Sequence, residues 1–390
     1  MGSEQMNTPM IAKTVQGLEK VLAAELENLG ASEITPVKRA VTFKGNKSLL
    51  YQSNLHLRTA LSVLVPVDSF EAGNPDELYE EALKTDWTSL FNPEQTFYIS
   101  HSINSPHFSH SQYAALKLKD AICDQFRKSN VKRPSVDTEN PDIRINLHIY
   151  GTTVTLSLDS SGEPLFKRGY RQRQATAPLN EVLAAGIIKL TGWDYQSNFI
   201  DPMCGSGTFC IEAAMMALDI APGLLRHRFA FMNWKNFDAA LWKELTEEAK
   251  RKKQKELPVK IIGSDIDPNI IAKAERNASF IRSNQLRFAS RDFFDFELPA
   301  GKNLVVFNPP YGIRLESDDL SGFYRNIGTT LKHKFTGTEV WMISPEHEAL
   351  KEIGLKPSAR YTVFNGPLEC RLQKFELYTG SKKQKTQAEV

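Results

Sequence analysis

The chain has 390 residues, which allows two or three domains, and its 41% apolar content suffices for buried cores. Its formal net charge is only +2, which excludes binding of nucleic acid through overall charge and leaves local basic patches as the alternative. The longest apolar run, near 61–67, is far too short to span a membrane, and the polar first residues lack a signal-peptide core, so we expect a cytoplasmic protein.

The first part of the chain, 1–70, reads as a small α/β subdomain. Apolar residues at helical spacing predict a helix across 11–30 that ends at Gly30; they are Leu18, Val21, Leu22 and Leu26. An alternating strand is predicted near 34–43, and another helix and strand within 48–67.

A second α+β region is predicted from 71 to 165. It has helices near 77–85 and 111–129 and strands near 96–102, 144–150 and 153–159. Gly151 and Thr152, between the last two strands, predict a hairpin.

A basic segment, 166–174 (FKRGYRQRQ), follows and contains no acidic residue. Such a segment can neutralise phosphates and stack on bases, so we predict that its four cations bind RNA: Lys167, Arg168, Arg171 and Arg173. It also lies where two domains join, so a linker at 166–177 that packs on both sides is an equally open interpretation.

The remaining elements predict a Rossmann-like domain over 178–380. A helix with one apolar face covers 178–190, and strands near 260, 286, 304 and 339 alternate with helices at 269–279, 320–333 and 347–353. This alternation indicates a doubly wound parallel sheet, and the pair 361–364 and 372–379 adds an antiparallel C-terminal hairpin. An insertion, 215–259, contains a basic, aromatic stretch and a charged helix, which favours a surface helix over a substrate contact. The polar tail, 381–390, is predicted to be disordered.

The most informative motif is NLVVFNPPY at 303–311, which places an amide, two prolines and an aromatic ring at the end of a buried strand. The Asn308 side-chain carbonyl and a neighbouring backbone carbonyl, held by Pro309, could grip one exocyclic NH2 group. Two such hydrogen bonds would favour the attacking form of a base nitrogen, while Tyr311 stacks on the base. With Pro310, these residues are the predicted catalytic motif; the alternative is a strand that ends in an Asn-capped Pro-Pro turn.

A second motif, FIDPMCGSGTFCIEAA at 199–214, reads as a strand, a tight glycine loop and a helix. Gly205 and Gly207 let the backbone approach a nucleotide-like ligand closely. A dinucleotide fingerprint is disfavoured, because its third glycine falls on Cys210 and the next strand-end acid, Asp265, comes too late. The phosphate loop of an NTPase is absent from the sequence.

Four motifs together carry a family resemblance: DPMCGSGTF, GSDIDP, SRDFFDF and NPPYGIR. They look like motifs I to IV of S-adenosylmethionine-dependent amino-methyltransferases, in the family's order and spacing. The whole chain resembles the THUMP-domain-containing branch, which includes the bacterial 23S rRNA guanine-N2 methyltransferases and many proteins named as N6-adenine-specific DNA methylases. The resemblance implies that 1–70 is ferredoxin-like and that 71–165 is an RNA-associated THUMP domain.

The resemblance also implies a role for each motif residue toward S-adenosyl-L-methionine. Asp201 lies near the ammonium group, Asp265 accepts hydrogen bonds from both ribose hydroxyls, and Asp292 takes one from the adenine amino group. The remaining implied cofactor residues are Pro202, Cys204, Gly205, Gly207, Thr208, Ile266 and Phe293. The alternatives are Asp265 as a turn residue and Asp292 as a loop cap. Asp267 stays outside the predicted site, because DIDPNI also reads as a helix start with Asp267 as the cap.

The implied reaction is direct transfer of the sulfonium methyl group to a base nitrogen, without a covalent enzyme intermediate and without a metal. The four cysteines contain no C-x-x-C pair, which predicts reduced thiols rather than disulfides or a zinc site. The expected partner is RNA, as 23S rRNA or a large-subunit assembly intermediate.

Three functions remain open at this point. The first is methylation of guanine N2 in 23S rRNA. The second is methylation of adenine N6 in DNA, since NPPY does not distinguish the two amino groups; against it stand the missing target-recognition domain and a glycine motif that departs from F-x-G-x-G. The third is a non-catalytic RNA-binding protein, which the intact Gly205, Asp265 and Asn308 argue against.

Overall fold

The computed structural model describes residues 7–129, 132–171, 179–311 and 319–378. The chain forms two compact units that exchange short segments. Unit 1 comprises Met1–Thr14, Leu22–Leu165 and Arg226–Glu248, and unit 2 comprises Val15–Val21, Phe166–Leu225 and Ala249–Val390. The division into contiguous domains predicted above remains a prediction, and the two exchanges cut across it. The predicted tail, 381–390, lies outside the described residues.

The α-helices of the described residues are short to medium in length, and the helix predicted at 347–353 is a 3-10 helix, Ala349–Ile353. The α-helices are α1 (Glu19–Asn28), α2 (Lys47–His56), α3 (Pro75–Ala82), α4 (Trp87–Leu90), α5 (Ser111–Lys128), α6 (Glu181–Thr191), α7 (Thr208–Ala217), α8 (Ala239–Lys252), α9 (Pro268–Ala278) and α10 (Leu320–Lys334). Across these described ranges, no helix is both long enough and apolar enough to cross a bilayer.

The strands fall into two sheets, one in each unit. Unit 1 contains β1 (Thr8–Thr14), β2 (Ser32–Val37), β3 (Ala40–Gly45), β4 (Ala60–Glu71), β5 (Phe97–Asn104), β6 (Ile143–Tyr150) and β7 (Thr153–Asp159). Unit 2 contains β8 (Asn198–Asp201), β9 (Ile261–Asp265), β10 (Leu286–Ser290), β11 (Asn303–Phe307), β12 (Glu339–Ser344), β13 (Ala359–Asn365) and β14 (Leu368–Glu376).

The sheet of unit 1 has the order β2-β3-β1-β4-β7-β6-β5 and is antiparallel except for the pair β5 and β6. The long strand β4 pairs with β1 on one side and with β7 on the other. The two regions predicted separately as 1–70 and 71–165 therefore share one continuous sheet.

Two sequence-based predictions in unit 1 were wrong in detail. The helix predicted across 11–30 begins only at Glu19, because residues 8–14 form strand β1, whose buried Met10 and Ala12 alternate along the strand. The single strand predicted near 34–43 is the hairpin of β2 and β3, which turns through Arg39 at a φ of 62°. A turn without glycine or proline gave no signal in the sequence.

The segment Arg226–Glu248 folds into the core of unit 1. The buried Phe231 ring stacks on Tyr51 with the centroids 4.5 Å apart and meets the edge of Trp242 at 5.2 Å. The Arg226 guanidinium donates to the backbone carbonyls of Ser161, Glu163 and Pro164. The basic, aromatic stretch of the predicted insertion is thus largely a packing element, and the helix predicted after it is α8.

The sheet of unit 2 has the order β10-β9-β8-β11-β12-β14-β13. Its first five strands are parallel, and β14 and β13 form the antiparallel hairpin. The chain runs outward from β8 in both directions, so the connections reverse between β8 and β11. In open α/β sheets, ligands bind at the carboxyl ends of the strands at such a reversal, which we call the switch edge.

Candidate active site

The predicted motif residues converge on the switch edge. Asp201 is the last residue of β8, Asp265 is the last residue of β9, and Asn308 directly follows β11. Because these strands are adjacent and parallel, their carboxyl ends meet at one side of the sheet. The sequence motifs therefore lie together, although more than a hundred residues separate the first from the last.

The glycine loop, 202–207, connects β8 to α7 in a conformation that only glycine adopts freely. Gly205 and Gly207 have φ angles of 52° and 85°, in the left-handed region. The Gly205 N–H donates to Asp265 Oδ2 over 3.0 Å, and the Cys204 N–H donates to the Ser264 carbonyl over 2.7 Å. The loop is thus fixed against the end of β9, with the first N–H groups of α7 behind it.

Asp201 is a buried acid. Its side chain is only 2% exposed, and its Oδ1 accepts from the Met203 N–H over 3.2 Å. Burial, with the nearby negative charge of Asp265, raises the pKa of Asp201 well above its usual range. An ammonium group beside this carboxyl would offset both effects, so the site suits a ligand with a positively charged amine.

Asp265 and Ile266 offer the surface that a nucleoside requires. Each Asp265 oxygen accepts one backbone N–H, from Gly205 and Asp267, so each retains a lone pair for a ribose hydroxyl. Ile266 is 69% exposed and presents an apolar side chain beside that carboxylate. A side chain at Gly205 would meet no atom within 4 Å, so the loop faces open space there. These residues fit S-adenosylmethionine, which carries an ammonium group, a ribose diol and an adenine ring.

The third motif needs one correction. The Phe293 ring is 4% exposed, stacks on Phe335 and packs against Phe307 in the core, so only its backbone can face a ligand. Asp292 is half-buried, and its Oδ1 caps the following turn by accepting from the Phe294 N–H over 2.9 Å. Its contact with adenine stays a prediction. Asp267 caps α9 by accepting from the Asn269 N–H, in line with its exclusion from the predicted site.

The predicted catalytic motif begins where β11 leaves the sheet. Asn308 is partly exposed, and within the described residues its side-chain amide makes no hydrogen bond. The Tyr311 hydroxyl accepts from Asn365 Nδ2 over 3.4 Å, at the end of β13. Pro309 is buried and Pro310 half-buried. The residues that followed in the quoted NPPYGIR motif lie outside the described part of the chain.

Two of the four cations predicted to bind RNA lie inside unit 2 instead. Arg168 is 2% exposed and its guanidinium faces the Glu212 carboxylate of α7, with nitrogen–oxygen distances of 3.4 and 3.5 Å. Arg171 forms an ion pair with Glu181 and donates to Ser206 and Thr208 at either side of Gly207. Neither guanidinium is placed to neutralise a phosphate. Lys167 is exposed, and Arg173 lies outside the described residues.

The sequence held a signal for these pairings that the prediction did not use. Glu181 and Glu212 are the only acidic residues of α6 and α7, whose other side chains are almost all apolar and buried. A carboxylate inside such a helix requires a cationic or hydrogen-bonding partner. The buried amide of Asn277, which donates to the Ser206 carbonyl over 3.1 Å, was also missed.

Comparison with known proteins matches three family models along the chain. Residues 168–374 match the model described as "RMKL-like, methyltransferase domain", residues 72–159 the THUMP domain and residues 9–64 the "RlmL ferredoxin-like domain". A Synechocystis protein named "Putative RNA methyltransferase slr0064" is 41% identical over 95% of this chain and 97% of its own length.

Two solved structures are similar over nearly the full chain. SMU.472, solved in complex with S-adenosylhomocysteine, superposes with a TM-score of 0.86 at 29% identity and covers 96% of this chain and 99% of its own. A Listeria monocytogenes protein described as a "predicted N6-adenine-specific DNA methylase" gives 0.84 at 28% identity, over 96% of this chain and 97% of its own.

The fold and the site define an S-adenosylmethionine-dependent methyltransferase, with the Rossmann-like domain preceded by ferredoxin-like and THUMP regions. The predicted fold class and cofactor are thereby confirmed. The chain belongs to the RMKL-like methyltransferase family.

Proposed function

We propose that this protein methylates the N2 amino group of a guanine in 23S rRNA, either free or in a large-subunit assembly intermediate. One observation carries the proposal: the Asn308 amide, which makes no hydrogen bond to any of the described residues, stands at the switch edge, directly after the strand that lies beside the one leading into the glycine loop. A half-buried hydrogen-bonding group that these residues leave unpaired is suited to a polar group of the substrate.

Chemically, the chain's part in the reaction is to bind and orient. S-adenosylmethionine supplies an electrophilic methyl group on its sulfonium. The Asn308 side-chain oxygen accepts from the amino group of the base and shifts its lone pair toward attack, while the Tyr311 ring supports the base. Correct placement of the two reactants can lower the barrier by roughly 7–11 kcal/mol. As the N–CH3 bond forms and the S–CH3 bond breaks, the nitrogen becomes acidic and its proton passes to water, so no strong base is required.

RNA is favoured as the substrate by the N-terminal half. The THUMP match, the ferredoxin-like match and the name of the Synechocystis relative all support an RNA substrate. The name of the Listeria structure supports DNA adenine as the competing substrate. The cytoplasm, where ribosomal subunits are assembled in bacteria, is the location this proposal requires.

The test uses S-adenosylmethionine labelled in its methyl group. The protein is incubated with total RNA or with DNA from cells that lack it, and the labelled nucleoside is identified after digestion. We expect labelled N2-methylguanosine from 23S rRNA. Labelled N6-methyldeoxyadenosine would overturn the proposal in favour of DNA, and label in another RNA nucleoside would overturn the choice of guanine N2.

A further inference from the structure

We propose that Arg171 is a positioning residue, which holds the glycine loop in its cofactor-binding shape before the cofactor arrives. The proposal depends on the cofactor site described above and is independent of which RNA is methylated. It replaces the phosphate-binding role that the sequence suggested for this arginine.

The Arg171 guanidinium reaches both sides of the loop at once. Its Nη1 donates to Ser206 Oγ over 3.0 Å, and its Nη2 donates to Thr208 Oγ1 over 2.7 Å. These two hydroxyls flank Gly207, whose φ of 85° turns the chain into α7. A planar guanidinium can hold two acceptors at a fixed separation, whereas the single ammonium group of lysine cannot.

Further contacts fix the guanidinium itself. Its Nε donates to Glu181, and Nη2 also donates to the Leu179 carbonyl over 3.2 Å. The Arg171 and Glu181 side chains are only 15% and 6% exposed. A buried, paired and multiply hydrogen-bonded arginine has one orientation, so it can transmit that orientation to the loop.

The loop needs such a support because its own sequence is permissive. Gly205 and Gly207 both gain conformational freedom in the unsupported chain, and ordering them costs free energy when the ligand binds. A loop that is ordered in advance avoids that cost at the binding step, which increases affinity for the ligand. The Arg171 contacts therefore act on cofactor affinity through Ser206 and Thr208.

The test measures binding of S-adenosylhomocysteine to the full-length protein by calorimetry, together with hydrogen exchange of the loop amides in the cofactor-free protein. Arg171→Lys keeps the charge beside Glu181 but loses the paired donation to the two hydroxyls. We expect its dissociation constant to rise about tenfold and the amides of Cys204, Gly205 and Gly207 to exchange faster.

A double variant, Ser206→Ala with Thr208→Val, removes the two hydroxyls and leaves Arg171 and Glu181 paired. It should itself weaken binding and accelerate loop exchange, and adding Arg171→Lys should then change affinity by less than about twofold. Arg168→Lys is the matched control, because Arg168 pairs with Glu212 on the body of α7. We expect it to lower stability without changing affinity.

Three outcomes would overturn the proposal. Wild-type affinity and exchange in Arg171→Lys would mean that the contact is structural only. A full effect of Arg171→Lys in the double-variant background would mean that Arg171 contacts the cofactor directly. If Arg171→Lys does not fold, the hydroxyl double variant alone tests the proposal. Wild-type affinity and wild-type loop exchange in that variant would overturn the proposal. Binding of S-adenosylhomocysteine by the wild-type protein is measured first. Because this measurement needs no RNA, its result does not depend on whether the protein methylates guanine.

Discussion

Asn308 is the residue on which the proposed transfer depends most directly. It stands at the end of a fully buried strand, and its amide is free of partners among the described residues. The strand fixes its backbone, so its side chain can be aimed at a substrate without prior rearrangement. Asp201 and Asp265, by contrast, end the next two strands along the sheet, β8 and β9, and are the acids predicted to hold the cofactor.

Replacement of Asn308 by alanine should therefore separate catalysis from cofactor binding. We expect Asn308→Ala to lower kcat on the order of 10²–10³-fold, as loss of one transition-state hydrogen bond does elsewhere. Affinity for S-adenosylhomocysteine should stay within about twofold, because the amide is proposed to contact the base and not the cofactor. Single-turnover methylation and calorimetry measure the two quantities.

Asn284→Ala is the control for that experiment. Asn284 is exposed and precedes β10, at the end of the sheet away from the switch edge. Asn284→Ala should leave kcat and the affinity for S-adenosylhomocysteine unchanged. If Asn308→Ala methylates at the wild-type rate, Asn308 takes no part in the reaction.

Single residues also show where sequence reasoning reached its limit. The NPPY motif and the strand-end acids could be predicted, because each is a local pattern of residue types. The fate of Arg168 and Arg171 could not be read locally, because their partners, Glu212 and Glu181, lie on helices whose packing decides what is buried. The cations of a basic segment stay exposed only where no buried carboxylate forms an ion pair with them.

At the scale of elements, the glycine loop requires its two glycines for different reasons. Gly205 and Gly207 both have positive φ, yet a side chain at Gly205 would meet open space, while one at Gly207 would lie 3.0 Å from Phe288 and 3.1 Å from Ala274. We therefore predict that the first glycine faces the ligand, whereas the second is needed for packing.

Alanine at these two positions should accordingly give different losses. We expect Gly205→Ala to cost about 1–2 kcal/mol of stability, from backbone strain alone, and to raise the dissociation constant for S-adenosylhomocysteine at least tenfold. Gly207→Ala should lose about 2–4 kcal/mol, because overpacking adds to the strain. Chemical denaturation measures the loss of stability, and calorimetry measures the dissociation constant. If Gly205→Ala binds S-adenosylhomocysteine as tightly as wild type, the ligand does not contact the loop at Gly205.

The end of β7 in unit 1 carries a pH-dependent element. Burial raises the pKa of Asp159 from its usual value to about 6, although its carboxylate accepts from the Ser161 and Gly162 N–H groups. An acid that binds its proton more tightly in the folded state stabilises the fold at low pH. That contribution is lost as the pH rises from about 4 through about 6.

Asp159→Asn should remove this dependence. We expect the free energy of unfolding of the variant, relative to wild type, to increase between about pH 4.5 and pH 7.5. Asp137→Asn is the opposite control, because hydrogen bonds from the Asn140 and Glu139 N–H groups lower the pKa of Asp137. Denaturation at a series of pH values measures both, and parallel curves for Asp159→Asn and wild type would contradict the prediction.

The element pattern of unit 2 followed from the sequence better than that of unit 1. Alternating strands and helices specify a parallel sheet, because each crossover brings the next strand back in the same direction. In unit 1, strand β1 was missed because its alternation ran directly into the apolar stripe of α1. The pairing of β4 with β7 joins residues about ninety positions apart and left no local signal.

For the whole molecule, the exchange of segments determines which parts stabilise each other. Phe231 lies in the chain between two segments of unit 2, yet its ring is fully buried in unit 1. Leu18 lies among the first residues, yet a side chain at Gly186 of α6 would come within 2.4 Å of it, inside unit 2.

Phe231→Ala should consequently weaken unit 1. We expect a loss of about 3–5 kcal/mol, the usual cost of removing a buried aromatic ring. Hydrogen exchange should accelerate more in β4, β6 and β7 than in β8 and β11. Phe335→Ala, which removes a buried ring from unit 2, should produce the reverse order, and a uniform response to both would contradict the assignment.

The same exchange sets an order of events during synthesis on the ribosome. Residues 15–21 are made early, but the helix α6 and the strands of unit 2 on which they pack follow more than a hundred and fifty residues later. The sheet of unit 1 is complete at Asp159, whereas Phe229 and Phe231 emerge some seventy residues afterwards. Until residue 248 has been translated, the core of unit 1 therefore lacks the aromatic rings that pack on Tyr51. The two units consequently complete their folding together, and unit 1 cannot finish before part of unit 2 is made.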